Sequence, residues 1–163
     1  MTDVTPRPKA PPRAAKGRTA IKAKPKRGTK AVKAEADRLF SLIIRAEGKC
    51  QRCNYRCTCP EFPAKHIIPG CSLTCSHFIG RTANWTRTYE DNCTCLCRSC
   101  HAKVEGNPPL HVEWFIGLRG ADVATDCQQR GERTSLVKFD WPTELERIKA
   151  RCIELGILPG NEE

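Results

Sequence analysis

The chain has 163 residues, 28 Lys and Arg against 18 Asp and Glu, a formal net charge of +10, and twelve cysteines. That length suits one main core. The lack of any long apolar run argues against a membrane span, and the lack of an apolar leader argues for a cytoplasmic protein without a disulfide framework. Close cysteine pairs in such a protein are zinc ligands more often than bridges.

Taken in order, residues 1–33 hold eleven of the basic residues and one acid, Asp3, so the net charge of the whole chain resides there and the remainder is neutral. Pro, Ala, Lys and Arg dominate this stretch, as around Lys24, Lys26 and Arg27, with too little apolar surface to offset the entropy of ordering. A disordered basic tail is predicted. It reads as a phosphate-binding arm that adds salt-dependent, sequence-independent affinity for nucleic acid, or more blandly as a solubilising leader.

Ala34 to Glu47 reads as a helix, because Ala36, Leu39, Phe40, Ile43 and Ile44 recur at helical spacing and Gly48 is placed to stop it. Cys50-Gln51-Arg52-Cys53 follows. From Asn54 to Thr74 the chain is irregular, broken by Pro60, Pro63 and Pro69. A loop of that length needs a staple, and a second zinc site drawing on Cys57, Cys59, Cys71 and Cys75 or Cys93 would supply one. Otherwise these are buried thiols.

Cys75 to Ile79 and Thr94 to Leu96 read as two short strands. The polar loop between them carries Arg81, Trp85, Arg87 and Tyr89, a mixture suited to a nucleic-acid backbone or simply to loop packing. Cys97-Arg98-Ser99-Cys100 then leads into a short helix, Ser99 to Glu105, ended by Gly106. Asn107 caps the next helix, which opens at Pro108 and runs to Leu118. Gly120 breaks it, and Asp122 to Arg130 resumes.

Ser135 to Phe139 alternates like a strand, and Asp140 with Pro142 starts a last helix reaching about Leu155. Its stripe of Leu145, Ile148, Cys152 and Leu155 serves either the core or a homodimer seam. The organisation is therefore a tail over 1–33, a zinc-clipped domain over 34–130, and a strand and helix extension over 131–163 packed on that domain.

The two Cys-x2-Cys turns, Cys50 with Cys53 and Cys97 with Cys100, can together hold one tetrahedral zinc with no open position, which makes that site structural. Such a clip gathers His77 on the first strand, Asn92 at the start of the second and His101 one residue after a ligand. Hydrolysing a phosphodiester needs a base to take a proton from water and a cation to neutralise charge. Histidine serves as the base near neutral pH. His77 and His101 are expected to face one groove, with Asn92 holding the hairpin loop and a divalent metal in the groove.

The pattern Cys-x2-Cys, Ser76-His77-Phe78, Asp91-Asn92, Leu96-Cys97-x2-Cys100-His101 resembles the zinc-clipped HNH endonucleases of ββα-metal fold. The stretch Arg38-Leu39-Phe40-Ser41, with Gly106-Asn107-Pro108 and the following Trp114-Phe115 helix, resembles the phage NinG-type recombination nucleases. The resemblance covers residues 38 to 120. It implies an α+β zinc-clipped ββα-metal module with flanking helices. The implied activity is a DNA endonuclease using Mg2+ or Mn2+ beside structural Zn2+, one or two ions, with no small-molecule cofactor. It also implies a phage DNA-processing role in a bacterial cytoplasm. On this likeness His77 is the general base, Asn92 the motif asparagine and His101 a ligand of the catalytic metal. Ser76 stands where many relatives carry an acid, and serine is a poor ligand for a hard cation. Either water and substrate oxygens fill that place, or Glu105, one turn beyond His101, contributes, or catalysis is weak. The competing expectation is a non-catalytic zinc module that binds DNA or protein.

Overall fold

The computed structural model describes residues 27–56, 73–133 and 138–159. Its frame is a two-stranded antiparallel hairpin, β1 (Leu73–His77) and β2 (Cys93–Cys97), in register from Leu73 opposite Cys97 to His77 opposite Cys93. Helix α1 (Arg27–Arg45) precedes it, and α3 (Arg98–Glu105) follows β2 without a gap, so the hairpin and α3 form a ββα unit. Then come α4 (Pro108–Arg119), α5 (Ala121–Glu132) and α6 (Trp141–Glu154). The connection between the strands contains a single helical turn, α2 (Asn84–Arg87), and a 3-10 turn at Glu90–Asn92. The architecture is α+β, as the sequence pattern predicts.

The largest core lies between α1 and α6. Ala36, Leu39, Phe40, Leu42 and Ile43 meet Trp141, Leu145, Ile148 and Cys152, and Cys75 and Cys93 of the hairpin close the same cluster. The stripe on α6 is thus core. Gly48 leaves α1 at φ +68° and Gly120 separates α4 from α5 at φ +93°, a backbone region in which a Cβ is strained. Asn107 caps α4 by accepting from the amide of Leu110 at 3.2 Å, with Pro108 in the first turn.

Several boundaries differ from expectation: β1 runs Leu73–His77 where the pattern predicts Cys75 to Ile79, and β2 runs Cys93–Cys97, one residue longer at each end than Thr94 to Leu96. α1 begins at Arg27, not Ala34. Its extra turns are anchored by Val32, which packs on the core, and by Lys33, which donates to Asn84 Oδ1 at 3.0 Å and lies 4.9 Å from the Trp141 ring centroid. The basic segment is therefore helical from Arg27 onward, while Lys24 and Lys26 lie outside the described residues. The strand predicted over Ser135 to Phe139 lies largely outside them too, and Lys138 to Asp140 have no strand pairing. Phe139 instead wedges its ring between Trp85 and Trp141, with centroids at 5.1 and 4.7 Å.

Candidate metal centre and cleft

The four thiols of Cys50, Cys53, Cys97 and Cys100 converge, with all sulfurs within 4.8 Å of one another. Local hydrogen bonding explains why. Cys50 and Asn54 close the first turn, with the Asn54 amide donating to the Cys50 carbonyl at 2.8 Å and Asn54 at φ +58°. Asparagine tolerates that conformation better than most residues. Gln51 then stitches the turn to β2. Its amide donates to the Cys95 carbonyl at 2.8 Å, and its side-chain oxygen accepts from the Cys95 amide at 3.1 Å. The second turn sits at the start of α3, where the Cys97 sulfur accepts from the Cys100 amide at 3.5 Å.

Backbone amides aimed at sulfur favour thiolate. Burial pushes the Cys50 thiol up, but the amides of Cys97, Cys53 and Arg52 outweigh it and bring it to about 7. Burial holds Cys100 at about 12. Four soft donors at one point, closed to further ligands, fit a tetrahedral zinc.

Beside this centre a cleft of about 550 Å³ opens between β1, α3 and the start of α4. Ser76, His77, Arg81, His101, Glu105 and His111 all line it. The hairpin and the clipped helix thus bring together residues far apart in the chain, His77 and His101 among them. Asn92 lies behind the wall, completely buried. Its side chain accepts from the Ile79 amide at 2.8 Å and donates to the carbonyls of Ile79 at 3.0 Å and Thr86 at 2.9 Å. It clasps the two ends of the interstrand loop. Asn92→Ala orphans three backbone groups in the interior and is expected to cost about 3 kcal/mol, read as a lowered urea midpoint at unchanged slope.

Hydrogen-bond arithmetic sets the two motif imidazoles. His77 Nε2 lies 3.0 Å from the carbonyl of Arg87, which can only accept, so Nε2 carries the proton and Nδ1 keeps the lone pair. His101 Nδ1 lies 2.9 Å from the hydroxyl of Thr74. That hydroxyl gives its one proton to the Leu96 carbonyl at 2.8 Å, so it accepts from His101 Nδ1 and leaves Nε2 with its lone pair. Burial lowers both histidines, His77 to about 4, with nearby Arg81 adding to the effect. Both are neutral at pH 7.

Glu105 is exposed, one turn beyond His101, so both side chains project from one face of α3. Ser76 is buried. Of the basic candidates, Arg81 is exposed at the rim of the cleft. Arg87 is engaged elsewhere, its guanidinium bidentate on Asp37 of α1 at 2.6 Å for both bonds and also donating to the Arg81 carbonyl. It braces the loop that positions His77. Trp85 is half-buried against Phe139.

The sequence pattern did not single out His111. It lies on α4, edge-on to Phe78 at 5.8 Å between centroids, and its buried Nε2 has no hydrogen-bond partner among the described residues. The chain has four histidines, and the three among the described residues all line this cleft. For the second zinc site, Cys57, Cys59 and Cys71 lie outside the described residues. Cys75 is buried and its sulfur lies within 4.8 Å of ligand atoms of His77 and Cys93.

No helix among the described residues is long and apolar enough to cross a membrane. Comparison with protein-family models, with curated proteins and with solved structures gives no match to this chain. The geometry alone therefore characterises it: a ββα unit carrying Cys/His clusters able to coordinate metal.

Proposed function

We propose that the chain is a metal-dependent DNA endonuclease of the HNH type, acting in phage recombination or DNA processing, with zinc in the four-cysteine clip. The observation that carries the reading is one cleft lined by two neutral imidazoles, each with a hydrogen bond that leaves a lone pair on the other nitrogen. His77 takes a proton from water as that water attacks phosphorus. The new P–O bond forms as the bond to the leaving oxygen breaks, and that oxygen is protonated from solvent. Asn92 holds the loop whose Arg87 carbonyl orients His77. Arg81 offers charge to a neighbouring phosphate.

The donors His101, Glu105 and the Ser76 hydroxyl suit Mg2+ or Mn2+, since a carboxylate and a hydroxyl supply hard oxygen and the imidazole supplies nitrogen. Bound there, such an ion would neutralise charge on the phosphate and on the leaving oxygen. Ser76 would hold it more weakly than an acid.

Supercoiled plasmid incubated with the full chain tests the proposal. Nicking is expected with Mg2+ or Mn2+ and not with EDTA at concentrations that spare the clip; intact plasmid with every divalent ion would retire the reading. The same result would favour the second reading, a non-catalytic zinc module that binds DNA or protein, for which Ser76 in place of an acid speaks.

Two further outcomes follow from particular contacts. Thr74→Val removes the acceptor that holds His101 in its tautomer, and is expected to weaken Mn2+ binding in the cleft by about 10- to 100-fold, measured by electron paramagnetic resonance, with clip zinc retained. Deleting residues 1–26 keeps α1 whole and is expected to weaken duplex binding at low salt and flatten its salt dependence, measured by fluorescence anisotropy. Equal affinity at 50 mM salt would retire the arm.

A further inference from the structure

Cys75 and His77 are alternate residues of β1 and so share one face, and Cys93 lies directly opposite His77 in the register. The two sulfurs and a ring nitrogen all lie within 4.8 Å of one another. Both thiols are buried, at 4 % and 0 % exposure, against the apolar face of α1. A single buried cysteine is ordinary packing. Two thiols closing on an imidazole whose lone pair is uncommitted form a donor set.

We propose that Cys75, His77 and Cys93 form a second metal site, selective for a thiophilic divalent cation such as Zn2+, and that its occupation switches off the cleft. Two thiolates and an imidazole are soft or borderline donors and discriminate strongly against Mg2+. Three protein ligands leave a fourth tetrahedral position for water. The ion has a route in, because Cys75 and His77 line the open cleft while Cys93 closes the site from behind.

Binding forms two S–Zn bonds and one N–Zn bond and breaks two S–H bonds, whose protons pass to buffer. Nothing is oxidised or reduced. A neutral imidazole has one lone pair, so the nitrogen that holds the ion cannot also accept a proton from water. Zn2+ here and base catalysis by His77 are therefore mutually exclusive. The site stands on its own geometry; only the inhibitory consequence rests on the nuclease reading.

The test uses the full, reduced chain. Zinc bound per chain is counted by competition with a chromophoric chelator for the wild type, Cys75→Ser, His77→Ala and the volume-conserving Cys93→Val, with far-UV circular dichroism confirming that each is folded. Each variant is expected to bind one equivalent fewer than the wild type. With Co2+ replacing Zn2+, the same equivalent is expected to add thiolate-to-metal charge-transfer absorption to that of the clip, an increment that Cys75→Ser and Cys93→Val lack. Folded variants that bind as many equivalents as the wild type would overturn the site.

In the plasmid assay with Mg2+, zinc beyond the clip equivalent is expected to suppress wild-type nicking at least about tenfold. Cys93→Val, scored against its own rate with only the clip equivalent bound, is expected to resist. Equal suppression in both would overturn the switch. If the chain nicks nothing in Mg2+ or Mn2+, the nuclease reading fails and takes the switch with it, whereas the zinc count still decides the site.

Discussion

His77→Ala is expected to reduce plasmid nicking by about 100- to 10,000-fold, the range that a positioned general base contributes. Zinc in the four-cysteine clip and the thermal transition should stay close to those of the wild type, because His77 is not among the four clustered thiols and its ring hydrogen-bonds to the Arg87 carbonyl; any equivalent lost is the one bound with Cys75 and Cys93. The loop carrying that carbonyl has other anchors, the bidentate Arg87 to Asp37 pair and the three hydrogen bonds of Asn92. Equal nicking by variant and wild type would identify a contaminant and remove His77 from the chemistry.

The pH dependence carries an independent signature. Burial disfavours the imidazolium and brings His77 to about 4, so its unprotonated form persists down through mildly acidic pH. As pH falls, the base is lost only on passing through that value. The acid limb of kcat/KM due to His77 is thus expected near pH 4 and not near the ordinary histidine value of about 6.5. A limb near 6.5 that persisted in His77→Gln would assign the titration to another group.

Removing the ion from the clip, by Cys97→Ala or by a strong chelator on the reduced protein, is expected to collapse the ββα unit. Structural zinc contributes on the order of 10 kcal/mol in small zinc domains, comparable to the whole stability of a domain this size. The core beneath the clip is small: Leu73, Leu96 and Val104 with the cysteines, and Trp114 packed at its edge. It cannot replace that contribution. The α1 and α6 core is separate and larger, so part of the helical circular dichroism is expected to survive while Trp114 becomes exposed and the cleft residues lose their order. An unchanged melting curve on protein shown by metal analysis to be zinc-free would refute the clip.

Much of this was legible in the chain. The Cys-x2-Cys pairs, the Asn107-Pro108 helix start, the stops at Gly48 and Gly120 and the apolar stripes of α1 and α6 are local signals, each set by the chemistry of a few neighbouring residues, and the structure places them where that chemistry predicts. The grouping of His77 with His101 could be anticipated because the clip shortens the distance between two remote segments. Other features depend on partners that no local pattern identifies. Arg87 looked like a phosphate ligand until Asp37, fifty residues away, engaged its guanidinium. Phe139 looked like strand until two tryptophans from elsewhere in the chain enclosed it. The start of α1 was set by Lys33 reaching Asn84 and Trp141. His111 in the cleft and Cys93 beside His77 emerged only when α4 and β2 were in place. Spacing along the chain encodes caps, turns and ligand pairs, whereas the choice between a solvated and a partnered side chain is made by the packing of distant segments.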